Sequence, residues 1–237
     1  MFNSCSKKPE TINDLIEKNG LLFKKTLFSE ELFTGRIVDY QNVYAESIIR
    51  SPDHITSTTT PYLCKYEVDV VNGVKQGYVI GFYVDSNDKA FEFFLKDGKK
   101  EGKAKLFFHN MLAKEVNFKN DLYDGEYIEY YLTKSNDKKK KIINFKNGMV
   151  EGKVKTFYRI GGIKSEFTVH DNRWVGTYKQ YYIGGRLKMI FPQKGECVKY
   201  DIDGNIIKSN TTCYGPIMPV SYLDFFKIAP KEEGVFN

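Results

Sequence analysis

A chain of 237 residues, 41% of them hydrophobic, is long enough for one elongated domain, and no apolar run in it approaches the length of a transmembrane helix. Its net charge of +6 fits an acidic partner or an anionic membrane surface without requiring either, and 17 Tyr and 18 Phe against one Trp supply broad contact faces as well as a core. The cysteines Cys5, Cys64, Cys197 and Cys213 have no metal-ligand spacing, and a Cys197–Cys213 disulfide depends on the compartment.

In chain order, residues 1–31 form an N-terminal unit. Met1-Phe2-Asn3-Ser4-Cys5-Ser6-Lys7-Lys8-Pro9 places a small residue before Cys5 and a polar, basic tether after it. This resembles a bacterial lipoprotein processing site without its apolar region, which makes Cys5 a lipidation candidate; a lone cysteine in a disordered tail is the alternative. Thr11 to Gly20 predicts a short helix, with Thr11 as N-cap, Ile12, Leu15 and Ile16 as an apolar stripe, and Asn19-Gly20 as the stop. Leu21 to Phe28 predicts a strand or arm that leads into the first repeat. Residues 46–61, rich in Ser, Thr and Pro, predict an exposed loop.

Residues 32–208 are repetitive. Gly77, Gly102, Gly125, Gly152 and Gly176 recur at roughly two dozen residues, with weaker members at Gly35 and Gly195, a period that marks stacked supersecondary units. Each glycine is expected to open a strand. Five and six positions after it come Phe82-Tyr83, Phe107-Phe108, Tyr130-Tyr131, Phe157-Tyr158 and Tyr181-Tyr182. Five and four positions before it come Asn72-Gly73, Asp97-Gly98, Asn120-Asp121, Asn147-Gly148 and Asp171-Asn172, residues that tolerate the positive φ of tight hairpin turns. Between turns, apolar and polar residues alternate with period two, and second strands are expected at Lys114–Phe118, Lys141–Phe145, Ile163–Val169 and Leu187–Phe191. The predicted fold is all-β: an elongated antiparallel meander of repeated β-hairpins, with short helical segments at the termini. Residues 209–237 form a C-terminal capping segment in which Tyr222–Ile228 predicts a helical turn.

Asp97-Gly98-Lys99-Lys100-Glu101-Gly102-Lys103-Ala104-Lys105-Leu106-Phe107-Phe108 and Asn147-Gly148-Met149-Val150-Glu151-Gly152-Lys153-Val154-Lys155-Thr156-Phe157-Tyr158 resemble the bacterial variant of the MORN repeat. Leu32-Phe33-Thr34-Gly35 is similar to the first repeat of YwqK-type antitoxins. The resemblance implies a hairpin meander and leaves function open, since such repeats serve unrelated roles.

Little in the sequence points to reaction chemistry. His54, His109 and His170 stand apart in no catalytic or zinc motif, and the Gly161-Gly162 and Gly184-Gly185 pairs are turn glycines with no phosphate-loop context. Lys138, Lys139, Lys140 and Lys141 form the densest charge run, expected at a solvated hairpin tip, with contact to phosphate or anionic lipid as the sharper reading. The expectation is a non-enzymatic module with no cofactor and no nucleic-acid partner. It binds a protein through a surface that includes Tyr83, Phe108, Tyr131, Tyr158, Tyr182 and the lysine run. The alternatives are neutralisation of a cognate toxin and binding to a phospholipid surface. A lipid on Cys5 places the module in the bacterial cell envelope; otherwise it is cytoplasmic.

Overall fold

The computed structural model describes residues 9–46, 59–133, 138–194 and 196–207. The chain opens with β1 (Glu10–Thr11), one 3-10 turn (Ile12–Asp14) and a small antiparallel sheet of β2 (Leu15–Lys18), β3 (Leu21–Lys25) and β4 (Glu30–Leu32). The helix expected over Thr11–Gly20 is therefore a turn and a hairpin. Asn19 and Gly20 have φ of 52° and 75°, the signature of a type I′ hairpin turn, and so join β2 to β3 where a helix stop was expected. No α-helix occurs among the described residues. The terminal helical turn expected at Tyr222–Ile228 lies outside them.

The main sheet follows almost entirely in chain order. It comprises β5 (Gly35–Glu46), β6 (Thr59–Val71), β7 (Val74–Tyr83), β8 (Lys89–Lys96), β9 (Lys99–Phe108), β10 (Met111–Lys119), β11 (Leu122–Tyr130) and β12 (Lys139–Lys146). It continues through β13 (Met149–Val150), β14 (Gly152–Phe157), β15 (Ile163–His170), β16 (Arg173–Tyr181), β17 (Leu187–Pro192), β18 (Val198–Tyr200) and β19 (Ile206–Ile207). Successive strands pair antiparallel, except that β13 pairs only with β12, which goes on to pair with β14; β1 joins in parallel, beside β5. The four second strands expected from the sequence all fall within β10, β12, β15 and β17. Of the loop expected over 46–61, Glu46 and residues 59–61 belong to β5 and β6, whose pairing runs to Glu46↔Thr59, and residues 47–58 lie outside the described residues.

The five turn pairs behave as their chemistry requires. Asn72-Gly73, Asp97-Gly98, Asn120-Asp121, Asn147-Gly148 and Asp171-Asn172 all have positive φ at both residues. The repeat glycines do something else. Gly77, Gly102, Gly125 and Gly176 lie inside their strands with φ of 85°, 73°, 109° and 74°, and there the strand carries two more residues than its partner. Glycine is needed at these bulges because the left-handed region costs any other L-residue about 1–2 kcal/mol. Among the described repeat glycines, only Gly152 and Gly35 open a strand, as expected. A second, single-residue bulge recurs in each returning strand, at Ala90, Ala113, Lys140, Lys164 and Lys188. Two bulges per hairpin raise the local right-handed twist.

Adjacent hairpins are tied at both ends. At the tight-turn end, Gly73, Gly98, Asp121, Gly148 and Asn172 donate their N–H groups to the carbonyls of Phe33, Lys75, Lys100, Tyr123 and Val150, at 2.7–3.1 Å. Each acceptor lies two residues before the glycine of the preceding unit. At the other end, the second residue of each aromatic pair reaches forward. The hydroxyls of Tyr83, Tyr131, Tyr158 and Tyr182 donate to the carbonyls of Phe107, Phe157, Tyr181 and Tyr200 at 2.8, 2.8, 2.6 and 2.9 Å. Phe108 occupies this column without a hydroxyl.

The core lies on one face, which we call inward. Val68, Val79, Phe91, Leu106, Val116, Tyr127, Ile143, Val154, Phe167 and Val169 are buried along its length. The small N-terminal sheet closes the first end: Leu22 joins this core, and its N–H donates to the Gly73 carbonyl at 2.9 Å. Lys100 is also buried here, its ammonium 5.9 and 5.5 Å from the Phe93 and Phe118 ring centres, and burial lowers its pKa. Gly81 is required for space rather than φ, since a Cβ there would lie 2.2 Å from the Phe91 ring.

Candidate binding groove

Period two sends Lys65, Glu67 and Asp69 of β6 to the face opposite Tyr66, Val68 and Val70, and therefore outward. Their cross-strand partners are Tyr40, Val38 and Arg36 on β5 and Phe82, Ile80 and Gln76 on β7. The result is a groove of about 520 Å³ along β6, with a charged floor, Arg36 and Tyr40 on one side, and Tyr78, Ile80, Phe82 and Val84 on the other. Tyr78 is 79% exposed and is propped edge-on against Phe94, with ring centres 4.9 Å apart. Tyr40, Ile80, Phe82 and Val84 are exposed too. The volume is in the range of sites that take small ligands or a few side chains.

Within the groove, Arg36 grips Asp69 with both arms of its fork, Nε to Oδ1 at 2.7 Å and a terminal nitrogen to Oδ2 at 3.1 Å. That hydrogen bond holds the Asp69 carboxyl below its usual value and raises the Arg36 guanidinium above its own. Glu67 lies only at the edge of this pair, 4.0 Å from the Arg36 guanidinium. Lys65 forms no ion pair with any described residue. Among the described residues, one unpaired cation, one loosely held anion and a wall of exposed rings therefore face solvent together.

The residues singled out from sequence are distributed differently. Tyr83 is buried; Phe108, Tyr131, Tyr158 and Tyr182 are half-buried, and all four tyrosine hydroxyls in this column serve the ties between hairpins. Phe108 packs edge-on against Tyr62 and His109. The lysine run is split. Lys138 and Lys139 are exposed. Lys140 is the bulge residue and binds the buried Glu129 carboxylate at 2.6 Å, while Lys141 stands between Glu129 and Thr156 in the strand pairing. Burial pushes the Glu129 carboxyl up, but Lys140, Lys114 and Lys141 outweigh it and hold the group below its ordinary value. Cys5 and His54 lie outside the described residues.

The remaining reactive groups have structural partners. Glu151, His170 and Asp171 approach one another within 4.8 Å on the surface. Glu151 accepts the Asp171 N–H at 3.1 Å and bonds His170 Nδ1 at 2.9 Å, so it caps the following turn. Glu101, Asp124 and Thr34 accept the N–H groups of Asn120, Asn147 and Asn72 in the same way, and all four precede a repeat glycine. Burial pushes the Cys64 thiol up to about 12, which keeps it from acting as a nucleophile near neutral pH. Cys197 is disulfide-bonded.

The chain matches no family model and no curated protein.

The groove did have a sequence signal. One position after the glycine, the other strong units carry Lys103, Glu126, Lys153 and Thr177, whereas this unit carries Tyr78. A column that turns from polar to aromatic on the solvent side marks an exposed apolar patch.

Proposed function

We propose that this protein is a non-catalytic repeat module that binds another protein through the outward groove over β5–β7. The observation that carries this reading is the exposure of Tyr78, with Tyr40, Ile80 and Phe82 around it, in a chain whose column of Tyr83, Tyr131, Tyr158 and Tyr182 is used to tie hairpins together. Exposed aromatics beside an Arg–carboxylate pair have the composition of binding hot spots, where Tyr, Trp and Arg supply most of the energy. The fold supports such a role, since a stack of hairpins is a rigid platform with one distinctive patch. The MORN-like columns agree with a scaffold function, and a lipid on Cys5 would hold the platform at the cell envelope.

A photo-crosslinking side chain at Tyr78 in the full chain tests this. A discrete adduct with a different protein is expected from an envelope extract, and Phe82→Ser should abolish it. If Tyr78 yields no more adduct than the same probe at the buried Tyr127, the reading fails.

A further inference from the structure

The β3–β4 hairpin ends in the turn Thr26–Ser29, which projects Leu27 and Phe28 into solvent, 93% and 98% exposed. The turn is closed on itself. The Thr26 N–H donates to the Ser29 carbonyl at 2.8 Å, the Ser29 N–H donates to Thr26 Oγ1 at 3.0 Å, and the two hydroxyls meet at 2.9 Å. Single exposed apolar residues are ordinary, but an adjacent Leu-Phe held outward on a fixed turn is a preformed peg.

The same molecule carries the open groove lined by Tyr40, Tyr78, Ile80 and Phe82. The peg does not fill its own molecule's groove, since Leu27 and Phe28 are almost wholly exposed and neither lines it. The charges around the peg select its target. Lys18 pairs with Glu30 and Lys24 with Glu10, so no cationic collar surrounds the apolar tip as an anionic bilayer would favour. On the peg hairpin Lys25 and Glu31 form no ion pair with any described residue, and the groove floor offers Glu67, with a side chain 47% exposed, beside the equally unpaired Lys65.

We infer that the groove of one copy receives Leu27 and Phe28 of a second copy of this chain, with Lys25 beside Glu67. The inference rests on the reading that the groove binds protein and names the chain itself as an occupant. Because peg and groove are different surfaces, each pairing leaves one of each free, and association runs on head to tail. A contact built on two side chains is small, so assembly is weak and concentration-dependent.

Sedimentation velocity of the full chain over rising concentration tests it. The wild type should form species beyond the dimer that grow with concentration. A peg variant, Leu27→Ser with Phe28→Ser, and a groove variant, Tyr78→Ser with Phe82→Ser, should each associate at least tenfold more weakly. An equimolar mixture of the two should form a heterodimer and stop there, since it holds one intact peg and one intact groove. Thermal melts check that both variants fold, and if the groove variant melts early, Tyr78→Ser alone replaces it. A wild type that stays monomeric, or a peg variant that assembles like the wild type, overturns the inference. So does a monomer whose peg binds phosphatidylserine–phosphatidylcholine vesicles, which would make the tip a lipid contact. A monomeric wild type leaves crosslinking of a different protein at Tyr78 as an independent result.

Discussion

Glu151 gathers two hydrogen bonds because the turn it faces would otherwise leave an N–H exposed and unpaired. The carboxylate is held below its ordinary value of 4.5, first by the bond to His170 and then by the Asp171 N–H. His170 is raised above its ordinary 6.5, first by the bond to Glu151 and then by the charge of Asp171. The signs differ. The Glu151 contribution is complete above its unfolded pKa and disappears as pH falls through the lowered folded value. The His170 contribution is complete below its unfolded pKa and disappears as pH rises through the raised folded value. Their joint support is therefore greatest between the two ordinary values. Raising the pH from about 6 to about 8 should lower the Tm of the wild type more than that of His170→Gln, and added salt should shrink the difference because both groups are exposed. Equal pH slopes for the two proteins would show that the pair contributes nothing.

Between residues and the whole lies the hairpin, and its ties explain what was and was not legible. The turn pairs could be read because positive φ at two successive positions favours Asn, Asp and Gly, although His109-Asn110 makes the same kind of turn without that signature at its first residue. The repeat glycine was visible for the same reason, but spacing alone did not separate a bulge from a strand start. Asn19-Gly20 ends a helix as readily as it makes a type I′ turn, and Ile12, Leu15 and Ile16 suit either period, so the N-terminal hairpin was hidden. The tyrosine ties were unreadable in another way. Their acceptors are backbone carbonyls, which carry no residue identity. Tyr158→Phe removes one tie and should cost about 1 kcal/mol, the usual net worth of such a bond, while leaving the fold intact. Chemical denaturation should show a lower midpoint with an unchanged slope. Phe at this position is already accommodated at Phe108, so a much larger loss would mean that the ring, not the hydroxyl, carries the column.

In the assembled molecule each hairpin touches mainly its sequence neighbours, so stability is distributed along the chain rather than concentrated in one globular core. Burial is uneven along that line. Buried apolar side chains run from Leu22 to Val169 with Met189 as a last outlier, while β18 is half-buried and β19 is exposed. Local opening should therefore cost least at the C-terminal strands. Phe167, buried and packed against Tyr178 at 5.9 Å, is the last large ring of the continuous core. Its replacement by Ala should cost about 3–5 kcal/mol, but the loss should be felt on one side. Hydrogen exchange should show β16 to β18 losing protection while β6 to β9 keep theirs, because nearest-neighbour coupling confines the damage to units that lean on the lost ring. If protection falls by the same factor in every strand, the molecule opens as a single cooperative unit, and the ties between hairpins are strong enough to make the stack behave as one domain.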